Sequence, residues 1–123
     1  MKKRILLVED DQDIRDTLEE VLVAEGYRVQ VASNGQEALD CLRAVALEDL
    51  PNLVLLDIMM PVKDGLAFRE EQERDPLLAG VPVVIMSADA HIEEKRVRMH
   101  VHAAIRKPFH IALMLRTVAE NIR

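Results

Sequence analysis

Leu53-Val54-Leu55-Leu56-Asp57, preceded by Pro51-Asn52 and followed by Ile58-Met59-Met60-Pro61, is the stretch that decides the fold. Four consecutive apolar residues leave no face for water, which is the pattern of a strand covered on both sides, as in the middle of a parallel sheet. The aspartate that closes it is hard to explain structurally, because an unpaired carboxylate at the end of an apolar strand loses its hydration.

The same pattern recurs on either side. Ile5-Leu6-Leu7-Val8 runs into Glu9-Asp10-Asp11, Val83-Val84-Ile85-Met86 ends at Ser87, and a shorter strand, Ala103 to Arg106, precedes Lys107-Pro108. Arg28 to Ala32 is a β-branched piece that Ser33-Asn34-Gly35 turns, with Asn34 an expected N-cap. Between these strands lie helical stripes: Ile14, Leu18, Val21 and Leu22, with Gly26 as the stop; Ala38, Leu39, Leu42, Val45 and Ala46; and Ile111, Met114, Leu115, Val118 and Ile122. Strands alternating with helices predict an α/β sandwich with a parallel sheet and right-handed crossovers. Ligands in such sheets bind beyond the carboxyl ends of the strands.

Those strand ends carry Glu9, Asp10 and Asp11, then Asp57, Ser87 and Lys107. Taken alone, the first acidic run is an ordinary helix first turn complementing the dipole, and Asp11 and Asp13 fit that role. Asp57, Ser87 and Lys107 at matching ends do not. Carboxylates brought to one edge repel each other and recruit a cation. A donor set of oxygens without nitrogen or sulfur suits Mg²⁺ rather than zinc. Asp57 as nucleophile, with a metal, Lys107 and the Ser87 hydroxyl each facing an oxygen of the transferred group, is a set of parts for phosphoryl transfer.

Composition narrows the partners. The 123 residues fit one domain, expected to span 1–123 without an effector domain. A net charge of −6 disfavours direct contact with nucleic acid or an anionic membrane. With Tyr27, Phe68 and Phe109 as its only aromatics, the chain has little on which to stack bases. Cys41 stands alone, which fits a reducing, cytoplasmic compartment and a half-buried helical position. Lys2-Lys3-Arg4 and four apolar residues fall short of a signal peptide's core. His91, His100, His102 and His110 lack ligand spacing and are expected at the surface.

Four segments in order, Ile5 to Asp11, Leu55 to Pro61 with Asp64-Gly65, Met86-Ser87-Ala88 and Lys107-Pro108-Phe109, resemble the CheY-like receiver domains of response regulators in two-component signalling, across the full length of the chain. The resemblance implies a flavodoxin-like three-layer sandwich with five parallel strands in the order 2-1-3-4-5 and five helices. It implies that Asp57 accepts a phosphoryl group from the phosphohistidine of a histidine kinase or histidine phosphotransfer protein. Mg²⁺ would be held by Asp10 and Asp57, by Glu9 through water, and by the backbone carbonyl of Met59. A cis Lys107-Pro108 bond is implied as well, and Ala88 matches the small residue that gives the phosphoryl group access. No other catalysis is implied beyond this self-catalysed transfer and autodephosphorylation, and the target would be a separate protein met by a monomer or weak dimer. Asp89 and the Met59 side chain flank Asp57 and would tune the lifetime of the phosphoryl group.

The chain departs from the family pattern at four places. Ala104 stands where an aromatic is usual, so a ring cannot rotate behind the hydroxyl residue. Ser87 replaces the commoner threonine. His100 takes the place of a glycine, and is expected to tolerate positive φ less well. In Arg69-Glu-Glu-Gln-Glu-Arg-Asp75, polar Arg69 and Gln72 replace leucines, leaving Leu66, Ala67 and Phe68 as anchors and predicting a short or solvent-exposed third helix.

Three other readings compete. A receiver-like interaction module that does not switch is the main alternative, and Ala104 supports it. A mononucleotide binder needs a first loop that welcomes phosphate, whereas Glu9 to Asp13 repels one. An aspartate-based phosphatase needs a second acid two positions after Asp57, where Met59 stands.

Overall fold

A computed structural model describes residues 2–123. Five strands and five helices alternate: β1 (Arg4–Val8), α1 (Gln12–Ala24), β2 (Arg28–Ala32), α2 (Gly35–Ala44), β3 (Leu53–Asp57), α3 (Gly65–Arg74), β4 (Val83–Ser87), α4 (Ile92–Arg98), β5 (Ala103–Arg106) and α5 (Ile111–Asn121), with a 3₁₀ turn at Leu47–Asp49. The strands form one sheet in the order β2-β1-β3-β4-β5, every pair parallel. This is the expected flavodoxin-like arrangement. Among the described residues no helix is long and apolar enough to cross a membrane.

Every residue of β3 and β4 is buried, while β2 alternates at the edge, as the continuous and alternating patterns require. Side chains alternate across the sheet and divide the core in two. Ile5, Leu7, Leu53, Leu55, Val84 and Met86 pack with Leu18 and Leu22 of α1 and Met114 and Val118 of α5. Leu6, Val8, Val54, Leu56 and Ile85 pack on the opposite face with Ala38, Leu39 and Leu42 of α2, Phe68 of α3 and Ile92 of α4.

Side chains and backbone set the helix ends. Asp11, Asn34 and Asp64 cap α1, α2 and α3 by accepting from the backbone N–H groups of Ile14 (3.0 Å), Glu37 (2.8 Å) and Ala67 (2.9 Å). Gly26, at φ +99°, turns the chain out of α1 where a side chain would be strained. All four histidines are exposed and Cys41 is half-buried.

The third helix departs from expectation. It runs for ten residues, as long as α2, and both Arg69 (9% exposed) and Gln72 (0%) point inward. Arg69 donates Nε to the Met99 carbonyl (2.8 Å), Nη2 to the His100 carbonyl (2.9 Å) and Nη1 to Gln72 Oε1 (2.8 Å). Gln72 Nε2 in turn donates to the Leu78 and Val81 carbonyls, each at 3.0 Å. Apolar periodicity assigns polar residues to water. Here they are buried because loop carbonyls satisfy them, leaving no unpaired buried side-chain polar atom among the described residues. His100 takes the left-handed conformation at φ +56°, and its carbonyl is one of those held by Arg69.

Candidate phosphorylation site

Register assembles the site. Val8 lies beside Leu56 and Asp57 beside Met86, so the residues following β1, closing β3 and closing β4 meet at one edge of the sheet. Ser87 lies beside Arg106, and the Lys107 N–H donates to the Ser87 carbonyl at 2.8 Å, which brings the end of β5 into the same group. The Lys107-Pro108 bond that follows is cis.

Glu9 (1% exposed) and Asp57 (4%) are buried side by side, with Asp10 exposed next to them. One carboxylate oxygen from each of Glu9, Asp10 and Asp57 lies within 4.8 Å of the other two. Lys107 Nζ donates to Glu9 Oε1 at 2.7 Å and stands 3.6 Å from Asp57 Oδ1. The lysine therefore bonds most closely to Glu9, which the strand-end pattern alone did not reveal.

The charges are uneven. Burial, and then the neighbouring Glu9 carboxylate, push Asp57 from 3.8 up to about 7, with Lys107 and the Met59 N–H opposing. Burial also acts to raise Glu9, but its contacts with Asp57 and Lys107 carry it below the usual range. Lys107 is raised despite burial, because Glu9 and Asp57 favour its charged form. Two carboxylates and one ammonium leave an excess of negative charge in a largely dry pocket. Three carboxylate donors that converge there fit a hard divalent cation such as Mg²⁺.

The remaining predicted residues surround this pocket. Ser87 is buried, and its Oγ accepts the Asp89 N–H at 3.1 Å, which leaves the hydroxyl hydrogen free to donate. The Met59 side chain is 66% exposed beside the site. Ala104 is half-buried on β5, packed against the core of the α2–α4 face.

Sequence reasoning missed two supports. Arg15 on α1 donates Nη1 to the Glu9 carbonyl at 2.9 Å. The Gly35 N–H donates to the Lys63 carbonyl at 2.8 Å, so the start of α2 braces the β3–α3 loop; a Cβ on Gly35 would stand 2.7 Å from that carbonyl oxygen. The glycine in Ser33-Asn34-Gly35 was a visible signal, but only for a turn. Nothing in the sequence marks Arg15.

An apolar groove of about 530 Å³ opens beside Lys107, between α1 and the start of α5, lined among others by Ile14, Leu18, Ala88, Phe109 and Ile111.

Comparison with known proteins agrees with this geometry. The family model for the response regulator receiver domain matches residues 5–119. The chain is 32% identical to response regulator RR06 of Streptococcus pneumoniae over 124 residues, covering 97% of this chain and 52% of that protein. It is 36% identical to the probable transcriptional regulator ycf27 of Porphyra purpurea over 110 residues, covering 88% of this chain and 42% of that protein. The chain thus spans about half the length of these curated relatives. Among solved structures, response regulator protein TrrA of Thermotoga maritima, in complex with Mg²⁺ and BeF, superposes with a TM-score of 0.83 at 30% identity, covering 96% of this chain and 97% of that one. With the sheet order, the strand-end carboxylates and the family match in agreement, the chain belongs to the response regulator receiver domain family.

Proposed function

We propose that this receiver takes a phosphoryl group onto Asp57 from the phosphohistidine of a histidine kinase or histidine phosphotransfer protein. The observation that carries this reading is the buried Asp57 carboxylate at the end of β3, gathered with the carboxylates of Glu9 and Asp10 and with the Lys107 ammonium, itself bonded to Glu9. In the transfer, an Asp57 Oδ forms the new O–P bond as the donor's N–P bond breaks, and the imidazole leaves with that electron pair. Lys107 and the Ser87 hydroxyl supply donors for the phosphoryl oxygens, so the charge is met by groups already in place. Water attacking the same phosphorus reverses the modification. The chain catalyses both steps only on its own aspartate.

Glu9, Asp10, Asp57 and the Met59 backbone carbonyl are the proposed holders of Mg²⁺, which when bound neutralises charge on the transferred group. The apolar groove beside Lys107 is the proposed seat of the phosphodonor, because Lys107, which lines it, stands 3.6 Å from Asp57 Oδ1, and because it exposes Ile14 and Ile111. A protein surface that recognises the phosphorylated domain is the proposed downstream target. The solitary Cys41 and the net charge of −6 support a cytoplasmic protein that makes no direct contact with nucleic acid or membrane. A monomer or weak dimer is the proposed state.

Acetyl phosphate with Mg²⁺, read by intact-protein mass spectrometry, tests the assignment. Wild type is expected to gain one phosphoryl group and Asp57→Asn none; equal labelling of Asp57→Asn would sink it. Ala104 favours a second reading, an interaction module that keeps the fold without switching. On that reading, partner affinity stays the same whether or not Asp57 is labelled.

A further inference from the structure

Asp10 is the most exposed of the three carboxylates at the site, and no hydrogen bond among the described residues holds its side chain. Its aim is therefore set by the backbone on either side. On the C-terminal side, Asp11 is fixed as the N-cap of α1. On the N-terminal side, the Glu9 N–H is held by the Ala32 carbonyl of β2 at 3.0 Å. Beyond Val8 the Glu9 carbonyl has left the strand ladder, and its partner is the Arg15 guanidinium at 2.9 Å. Arg15 is half-buried, on the first helix after the acidic loop.

We infer that Arg15 is a positioning residue for the divalent-cation site: by binding the Glu9 carbonyl it locks the β1–α1 turn, so that Glu9 and Asp10 present their carboxylates together with Asp57. The inference rests on the reading of those three residues as the cation site. A guanidinium bound to the Glu9 carbonyl, one residue from Asp10, should by charge alone weaken the binding of another cation. Positioning acts in the opposite direction, because a loosened turn must be ordered each time the ion binds. The sign of the effect separates the two.

Mg²⁺ titrated calorimetrically into the full chain, together with the Mg²⁺ dependence of acetyl phosphate labelling, provides the test. Arg15→Met is expected to bind Mg²⁺ about tenfold more weakly, the size typical when a partner behind metal ligands is lost. The loss should fall on the Mg²⁺ concentration for half-maximal labelling, and high Mg²⁺ should restore the rate. Arg15→Lys, which keeps a donor able to reach the carbonyl, is expected to recover most of the affinity. Equal or tighter binding in Arg15→Met overturns the inference; if that variant does not fold, Arg15→Leu, which likewise has no donor, is held to the same criterion. Asp10→Asn separates the two levels of the argument: normal Mg²⁺ binding there removes the cation site itself, whereas its loss there with unchanged binding in Arg15→Met removes only the role of Arg15.

Discussion

Lys107 donates its ammonium to the Glu9 carboxylate at 2.7 Å, joining the loop after β5 to the loop after β1 beside Asp57. Glu9 is 1% exposed and Lys107 is partly covered, so each depends on the other for compensation of a largely desolvated charge. Lys107→Met is expected to lower unfolding stability by about 2 kcal/mol without metal, and by less once Mg²⁺ supplies the missing positive charge. Urea unfolding with EDTA and with Mg²⁺ measures both; a loss of the same size in the two conditions would contradict the arrangement.

Asp57 titrates at about 7 in the folded protein against 3.8 ordinarily, so the folded state holds its proton more tightly than the unfolded chain. The stabilisation is complete below the ordinary value and disappears as pH rises through about 7. In EDTA, wild type should therefore lose melting temperature between pH 5 and pH 8, and Asp57→Asn, which has no charge to bury, should lose less. The gap at pH 8 is expected to be several degrees, at roughly 4 °C per kcal/mol for a domain of this size. Parallel profiles for the two proteins would remove the assignment of the shift to Asp57.

Arg69→Ala strands the Met99 and His100 carbonyls and takes a partner from Gln72. A cost of about 3 kcal/mol is expected, with faster amide exchange in the turn between α4 and β5. Amides of α3 from residue 69 to 74 should exchange slowly in wild type. Rapid exchange there would restore the exposed helix that the polar sequence suggested.

Gly35→Ala places a methyl 2.7 Å from the Lys63 carbonyl and 3.0 Å from that of Asp64. The β3–α3 loop must shift, at a cost of about 1–3 kcal/mol in denaturant unfolding. Labelling by acetyl phosphate should slow as well, because that loop carries Met59.

Ile14→Asp puts a charge on the apolar groove at a position already 38% exposed. Transfer from a phosphorylated kinase should fall by about tenfold, roughly 1.4 kcal/mol of docking energy, while labelling by acetyl phosphate stays near wild type. Equal loss with both donors would place Ile14 in the fold rather than in docking.

The fold was legible because its signals are local. Continuous apolar strands, helical stripes and Asn34-type caps each lie within a few residues, and all five strands occupy their expected segments. Residues at strand ends were legible too, since a parallel sheet brings like ends together. Tertiary pairings of polar groups were not. Arg69 and Gln72 read as solvent-facing because their partners are carbonyls, which every residue carries and no sequence pattern marks. The Glu9–Lys107 bond spans most of the chain, and residue type alone could not say which carboxylate the lysine would bond most closely.

Because the sheet separates two side-chain clusters, with α1 and α5 on one side and α2 to α4 on the other, interior substitutions on opposite sides share no partners. Their costs should add. Evolution can thus reshape the helices bordering the groove without retuning those across the sheet, and the specificity of one face can diverge while that of the other is held constant.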